Sequence, residues 1–541
     1  MSKRRTARQR TISTSSGADL SRERAVEVAR ETPFLRHPLS RAAVLLILFV
    51  TALLVRLLSL DQPPLDFHGA RQYRSALIAR AYYYETDADV PEALRRSAIA
   101  SKEQQGILEP PVMEMLASLA YRIVGNEHLW IPRLFSVTFW LIGGVFLYLL
   151  ARRITSGDGA LFAAAFYLLV PFSIPASTSF QPDPLMVMLI ILSLFKAYRY
   201  YEHPSNRRLV MAGLASGAAI LVKPFAAFFV FAAFLSLGIQ KHGIRQTLLS
   251  RSTLVFALTS LSPVLVFFVY GTCVESFLTG QIKGTLLPHL LGRSFFWSGW
   301  LRMTQDVVGH VAVIAAILGT MLLPRGLSRG LLVGLFVGYC AFSLFCSYHT
   351  PTHNYYQLPF IPVVALGLGP VAALVMSRLS KASRNRFYRI SICAVLALFL
   401  VANTHGAYTR RDKSDYRPVI GLWEEIGNVV RHSDRTIWLA SNYGRPLQYH
   451  GGLAGENWPH GADLRKEAEM GRLPLSVEER FQMLRNKRDA EYFIVVLASA
   501  SEEFQRQRKL REFLASTFSV FKRNNNYLVY DLNAPAGSGN R

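Results

Sequence analysis

Apolar residues recur along the chain in blocks of roughly 12–20, separated by short basic stretches. A helix needs about 20 mostly apolar residues to cross a bilayer, and somewhat fewer when charged ends snorkel to the interface. The pattern therefore predicts an α-helical polytopic membrane protein with about eleven transmembrane helices. We place the spans at residues 42–60, 134–151, 160–176, 184–198, 209–222, 225–239, 254–270, 307–323, 331–346, 358–376 and 390–403.

The transmembrane domain is predicted over residues 41–404, and its first loop, 61–132, is long and polar. This loop contains two amphipathic pieces, Arg74–Tyr84 and Val112–Val124. The second is too short and too charged to span, and both pieces can lie flat in the membrane interface.

The two ends of the chain differ from the apolar middle. Residues 1–40 are basic, rich in Ser and Thr, and predict a disordered cytoplasmic tail. Residues 405–541 alternate short β-rich runs with charged helical stretches, which predicts a small extracytoplasmic α/β domain. The clearest strand-like runs are 436–440, 492–497 and 527–530, and the clearest helical stretch is 501–514.

The net charge is +24, and the distribution of the basic residues along the chain predicts how the protein is oriented in the membrane. Basic residues collect in the N-terminal tail and in alternate short loops, whereas the opposite loops, 175–183 and 347–357, contain no Lys or Arg. Under the positive-inside rule the N-terminus is cytoplasmic, and the first loop and the C-terminal domain are outside. This charge pattern suits a membrane surface or a phosphorylated substrate and disfavours nucleic acid as a partner.

The four cysteines lie in or beside apolar segments, without the spacing of a zinc site or a disulfide framework. His349 and His353 are four residues apart, but Pro351 lies between them and makes a continuous helix doubtful. Two histidines alone are a weak metal signal, and we expect them to contact sugar or phosphate. No metal site is predicted and no cofactor is indicated, although a divalent metal stays open.

Polar residues that packing does not explain lie at the predicted outer ends of the helices. The stretch Pro64–Tyr73, directly after the first span, places a carboxylate beside Arg, Gln and His. An acid can serve as a general base, and Arg offers a planar donor fork for phosphate or sugar hydroxyls. The candidate site residues are Asp66, His68, Arg71, Gln72, Glu109, Arg133, Asp183, Lys223, His353 and Tyr356.

Three of these residues have a simpler interpretation as well. Lys223 can be a snorkelling residue at a helix boundary or a fixed cation for a phosphate headgroup, because a charge at membrane depth is costly. Asp66 can cap the following helix or act as a base. Asp183, between two prolines, can cap the fourth span or belong to the site.

At these residues the chain resembles the membrane glycosyltransferases of the C-type fold. It is similar to the bacterial branch related to dolichyl-phosphate-mannose protein mannosyltransferases and lipid A aminoarabinose transferases. The resemblance covers about residues 40–405 and depends on the order and membrane sidedness of several motifs. These are Asp66 followed by Ser75–Arg80, Glu109-Pro110-Pro111, Arg133–Ser136, Gln181-Pro182-Asp183, Gly213–Pro224, and His353–Tyr356 leading into Pro359 and Pro362.

The resemblance implies a polyprenyl-phosphate sugar as donor and a cavity at the outer leaflet of the bacterial cytoplasmic membrane. Asp66 would deprotonate the acceptor hydroxyl for an inverting attack, basic residues would hold the leaving phosphate, and no nucleotide would be needed. The acceptor, whether glycan, lipid or protein, stays open, as does the sugar.

The chain departs from the family pattern at two positions. The aminoarabinose branch carries Lys before its Pro-Pro pair, whereas this chain has Glu109. A phosphate contact is therefore not carried over there, and Arg71, Arg133 or Lys223 would have to supply the charge. Many relatives have Asp-Glu in the first loop, whereas Phe67-His68 follows Asp66 here.

Two other functions compete with a glycosyltransferase. A transporter or flippase of a lipid-linked saccharide would show internal repeats and polar residues at the membrane midplane. The polar residues here gather on one side, and no repeat is evident. A non-catalytic scaffold that presents its outer domain would leave the clustered charges unexplained.

Overall fold

The computed structural model describes residues 34–35, 37–58, 60–87, 89–106, 109–274, 286–382 and 415–537. The helices of the membrane-embedded part form one bundle with a continuous apolar core. They are Pro38–Leu57, Trp130–Ile154, Gly157–Leu169, Ser173–Ala176, Asp183–Glu202, Asn206–Val222, Ala226–His242, Ile244–Leu248, Arg251–Val269, Ser294–Val307, His310–Leu322, Leu327–Phe345 and Phe360–Ala382.

The protein is a multi-pass membrane protein. Six of the described helices are long and apolar enough to cross a membrane, and a seventh span arises if Ser294–Val307 and His310–Leu322, bent by 86°, count as one. Ten of the eleven predicted segments overlap described helices. The number eleven is not confirmed, because helices such as Gly157–Leu169 are shorter than the bilayer core. The predicted span 390–403 lies outside the described residues, as do 1–33 of the predicted tail.

The bundle has two chemically different ends. At one end Arg153 pairs with Glu202 across two helix termini, with Nη1 2.6 Å from Oε2. The helix that ends at Glu202 begins with Asp183, and the next helix returns from Asn206 to Val222. The opposite end of the bundle therefore carries Asp183 and Lys223 together.

The first loop forms three helices: Gly69–Tyr84, Glu92–Gln105 and Val112–Val124. The third has the predicted bounds, and its exposed Met115, Leu119 and Ile123 form an i, i+4, i+8 stripe. The helix over residues 92–105 was missed, because polar and charged side chains surround most of it and leave little apolar periodicity.

The C-terminal part is the predicted α/β domain. Its strands are β1 (Thr436–Leu439), β2 (Gly455–Asn457), β3 (Tyr492–Val495), β4 (Phe518–Arg523) and β5 (Leu528–Pro535). They form one sheet in the order β2-β1-β3-β5-β4. β1 is parallel to β2 and β3, whereas β5 is antiparallel to β3 and β4.

Helices pack around this sheet over two apolar clusters. The sequence predicted three of the strands, and it missed the short edge strand β2 and the exposed edge strand β4. The domain helices are Arg417–Val429, Arg445–Gly451, Gly461–Glu469, Val477–Arg488, Leu497–Arg506 and Arg508–Thr517.

Candidate active site

The first-loop motif contributes a buried carboxylate. Asp66 Oδ2 accepts a hydrogen bond from Arg133 Nη2 at 2.8 Å, and the two side chains are 5% and 0% exposed. His68 then adopts a left-handed φ of 47°, and the helix that carries Arg71 begins at Gly69. Histidine is one of the residue types enriched in this backbone region. The turn therefore separates Asp66 from the helix while keeping both at the same end of the bundle.

All three nitrogens of the Arg133 guanidinium donate hydrogen bonds to other groups of the protein. Nε donates to the carbonyl of Thr178 at 2.9 Å, and Nη1 donates to the carbonyl of Gln62 at 2.6 Å. With Nη2 on Asp66, every nitrogen of the fork has a partner. The sequence offered Arg133 as a phosphate-binding cation, and these contacts lead us to assign it instead to holding the first loop.

Both ends of the Gln72 amide also form hydrogen bonds within the protein. Its Nε2 donates to the carbonyls of Phe67 at 2.7 Å and Pro64 at 3.3 Å, and lies 3.4 Å from Asp66 Oδ1. Its Oε1 accepts the backbone N–H of Phe180 at 2.8 Å. Gln72 thus ties the Asp66 turn to the segment that leads to Asp183, and we assign it a positioning role.

Asp183 and Lys223 form a second buried ion pair, with Nζ 2.8 Å from Oδ1 and exposures of 4% and 5%. Pro224 ends the preceding helix, so Lys223 is extended and its ammonium group lies inside the protein rather than snorkelling. The other oxygen, Asp183 Oδ2, is buried without a hydrogen-bond partner among the described residues. Asp183 therefore fixes Lys223, and it keeps one oxygen for another contact.

Arg71 connects this pair to the first loop. Its Nη2 lies 2.7 Å from Glu109 Oε1, and both Arg71 and Lys223 lie within 5.6 Å of the centroid of the Tyr355 ring. Burial alone would raise the pKa of Glu109, but the positive charges of Arg71 and Lys223 outweigh it and lower that pKa. Glu109 is therefore a carboxylate at neutral pH.

An aromatic and imidazole cluster lies beside these charges. His349 stacks on Tyr356 with ring centroids 4.7 Å apart and an interplanar angle of 4°. His353 packs edge-on against His349, and His68 Nε2 lies 2.7 Å from Asn354 Oδ1.

The histidines of this cluster are neutral at physiological pH. Burial, followed by His353, lowers the pKa of His349 to about 3. Burial, followed by His68, lowers the pKa of His353 to about 4. No group of three or more potential ligands is placed to hold a metal ion within the described ranges.

The ten candidate residues meet at one end of the bundle in two adjoining groups. Asp66, Gln72 and Arg133 form the first group. Gln72 connects it to the second group in two ways: it is next to Arg71 in the chain, and it binds the backbone of Phe180, three residues before Asp183. The second group contains His68, Arg71, Glu109, Asp183, Lys223, His353 and Tyr356. The arrangement places two cations among carboxylates, and it suits an anionic ligand with hydroxyl groups.

The sequence analysis did not include two residues, Tyr355 and Gln181, among the candidate site residues. The centroid of the Tyr355 ring lies within 5.6 Å of both cations, although Tyr355 was not among the predicted site residues. Gln181 is 1% exposed, and neither its Nε2 nor its Oε1 has a hydrogen-bond partner within the described parts of the chain. The available signal was an amide between an aromatic residue and Pro-Asp, next to one of the candidate carboxylates.

Comparison with known proteins supports the resemblance. Residues 108–270 match the family model described as dolichyl-phosphate-mannose-protein mannosyltransferase. A curated relative from Aquifex aeolicus, described as an uncharacterized protein, is 31% identical over 121 residues. That match spans 22% of this chain and 24% of the relative's length.

The chain has the C-type glycosyltransferase fold. It is similar to a crystal structure of ArnT from Cupriavidus metallidurans bound to undecaprenyl phosphate, with a TM-score of 0.57 and 17% identity over 92% of this chain and 99% of that one. It is also similar to the archaeal oligosaccharyltransferase AglB from Archaeoglobus fulgidus in complex with an inhibitory peptide and a dolichol-phosphate. There the TM-score is 0.52 and the identity 12%, over 93% of this chain and 75% of that one.

The unsatisfied amide of Gln181 leads to a stability prediction. A buried polar group without a partner costs about 1–3 kcal/mol. Gln181→Met keeps the shape and removes both polar atoms, so we expect the thermal unfolding midpoint in detergent to rise. Gln72→Met is the matched control, and it should lower the midpoint because that amide makes several hydrogen bonds. A lower midpoint for Gln181→Met would mean that Gln181 has a stabilising partner.

Proposed function

We propose that the protein is an integral-membrane glycosyltransferase that moves a sugar from a polyprenyl-phosphate donor to an acceptor on the outer face of the bacterial cytoplasmic membrane. The observation that carries this proposal is the meeting of Arg71 and Lys223, each held by a carboxylate, at one end of the bundle. The likeness to a protein crystallised with undecaprenyl phosphate and the partial match to a mannosyltransferase family support it.

The donor phosphate would be held by Arg71 and Lys223. The hydrogen bonds of Arg71 to the described residues use Nη2 alone, so its other N–H groups are available to a phosphate. Glu109 and Asp183 keep the two cations in place before the donor arrives. When the bond from the anomeric carbon to the phosphate oxygen breaks, negative charge grows on the phosphate, and preplaced cations stabilise that transition state.

Asp66 is proposed to be the general base. It would take the proton of the acceptor hydroxyl while that oxygen attacks the anomeric carbon from the face opposite the phosphate. The sugar would then be transferred with inversion, polyprenyl phosphate would leave, and the proton would pass from Asp66 to water. The ion pair with Arg133 orients the carboxylate for this role.

The outer domain and the site are proposed to face the periplasm or cell exterior, with the N-terminus in the cytoplasm. The basic end of the bundle, marked by Arg153, Arg207 and Arg208, lies opposite Lys223. That distribution follows the positive-inside rule. A glycan, lipid or protein acceptor fits this placement equally well.

We expect Asp66→Asn to lower sugar transfer from a polyprenyl-phosphate sugar by about 100-fold or more, the lower range for a lost general base. Asn can still accept the hydrogen bond from Arg133, but it leaves that buried guanidinium without a countercharge. The unfolding midpoint and undecaprenyl phosphate binding are therefore measured beside transfer, to separate a lost base from a disturbed fold. Asp61→Asn is the control, because Asp61 is 68% exposed and pairs with Arg417 at the surface. Transfer by Asp66→Asn at the wild-type rate would remove Asp66 from the mechanism.

We expect the double variant Arg71→Met/Glu109→Gln to bind undecaprenyl phosphate about 10- to 100-fold more weakly, as the loss of a charged hydrogen bond implies. Substituting both partners avoids leaving a lone buried carboxylate. Glu109→Gln alone should bind at least as tightly as the wild type, since the competing negative charge is removed. Equal dissociation constants for the double variant and Glu109→Gln would exclude Arg71 as a phosphate ligand.

The orientation predicts which engineered cysteines react from outside the cell. In a cysteine-free background, Leu473→Cys on the outer domain should react with a membrane-impermeant maleimide in spheroplasts. Arg207→Cys, exposed at the opposite end of the bundle, should react only after permeabilisation. The reverse labelling pattern would place the site in the cytoplasm and contradict the proposal.

A further inference from the structure

The helix that carries Arg71, Gly69–Tyr84, has a second face directed at the outer domain. Arg71 and Ser75 contact Glu109 and Glu114 on the first-loop side. Ala70, Tyr73 and Arg80 lie on a different side, and each contacts the segment Ser441–His450 of the outer domain, which we call the clamp segment. The outer domain therefore touches the donor-site helix along more than two turns.

Asn442 of the clamp segment completes the start of this helix. The first N–H groups of a helix have no partner within it and need caps. Here the N-cap residue, His68, makes no side-chain cap hydrogen bond. Instead, Asn442 Oδ1 accepts the backbone N–H of Ala70 at 3.1 Å. A Cβ built on Gly69 would lie 3.3 Å from Asn442 Nδ2 and Oδ1, so the two segments approach closely.

Arg445 holds the carbonyl of the same residue. Its Nη1 donates to Ala70 O at 2.8 Å, and its Nε donates to Gln105 Oε1 at 2.7 Å. Both backbone groups of Ala70, the residue directly before Arg71, are thus bound by the outer domain.

The backbone of the clamp segment is held in an uncommon conformation to reach the helix. Asn442, Tyr443 and Gly444 have φ values of 54°, 58° and 67° in succession. For non-glycine residues this region costs free energy and persists only when the surroundings enforce it. Trp438 Nε1 donates to the carbonyl of Tyr443 at 3.1 Å and ties the turn to the first strand of the sheet.

Farther along the helix the clamp segment adds two more contacts. Tyr73 Oη lies 2.9 Å from His450 Nε2, and the guanidinium of Arg80 lies 3.5 Å from the centroid of the Tyr449 ring. These contacts anchor the middle of the helix, whereas Asn442 and Arg445 fix its first turn.

We propose that the outer domain serves the donor site, and that Asn442 and Arg445 are positioning residues that fix Arg71 for the phosphate. This inference rests on the proposed function. It gives the C-terminal domain a role in donor binding, in addition to any contact with the acceptor. Because Arg71 is one residue from Ala70, a shift of the first helical turn moves the guanidinium directly.

The test compares two substitutions at Asn442 by their dissociation constants for undecaprenyl phosphate, measured with the full-length protein in detergent. Asn442→Gly tolerates the positive φ and removes the cap, so the turn is kept and the hydrogen bond is lost. The loss of one neutral hydrogen bond corresponds to roughly 2- to 12-fold in an equilibrium constant, and we expect weakening in that range. Asn442→Asp keeps an acceptor oxygen and a residue type that tolerates this φ, and it should restore most of the affinity.

Asn525→Gly is the matched control, since Asn525 is exposed in the same domain. Its dissociation constant and unfolding midpoint should equal those of the wild type. In transfer assays Asn442→Gly should lower kcat/KM for the donor, and Asn442→Asp should restore it, which general destabilisation would not produce. If Asn442→Gly strongly lowers the unfolding midpoint, Arg445→Gln becomes the test variant, and its dissociation constant for undecaprenyl phosphate is measured in the same way.

The two possible failures are distinguishable. If wild-type protein does not bind undecaprenyl phosphate, the proposed function fails. If the wild type binds and Asn442→Gly or its replacement binds equally well, the positioning role is overturned while the proposed function stands. Equal weakening by Asn442→Asp and Asn442→Gly would also overturn it, because the acceptor oxygen would then have no effect.

Discussion

The cost of placing charge at the end of an apolar helix bundle determines how this site is built. An ionised side chain away from water is tolerated only when it is paired and hydrogen-bonded. The structure meets this requirement with two buried ion pairs, Asp66–Arg133 and Asp183–Lys223, and with a third, less buried pair between Arg71 and Glu109. Each pair joins segments that are distant in the chain. The pairs therefore fix the relative positions of the first loop and the helix ends, and the chemistry of the site depends on that geometry.

The three pairs are not equivalent. The partners of Arg133 include backbone carbonyls on several sides, so this arginine acts as part of the framework. Arg71 and Lys223 are each held by one carboxylate and share the Tyr355 ring, and they keep capacity for an anion. This difference separates cations that build the site from cations suited to bind a phosphate.

The sequence predicted the helical class, the C-terminal α/β domain and the end of the bundle where the polar residues gather. Those features depend on the length of the apolar blocks and on the distribution of charge, and both can be determined from short stretches of the sequence alone. It did not reveal the helix over residues 92–105, whose apolar side is narrow. It also offered Arg133 and Gln72 as ligand-binding residues, because residue type alone does not show whether backbone carbonyls already occupy a donor. The contact of Asn442 with Ala70 carries no sequence signal, since it joins residues far apart in the chain.

The hydrogen bond from Ala70 to Asn442 spans 372 residues, and this separation sets an order of events during synthesis. The helix with Arg71 leaves the ribosome early, whereas Asn442 is translated after Phe360–Ala382, the final bundle helix among the described residues. A nascent chain that has inserted its bundle still has a first helical turn without this partner. This helical turn therefore gains its partner only after residue 442 has been made, and a chain terminated before that point would lack the contact.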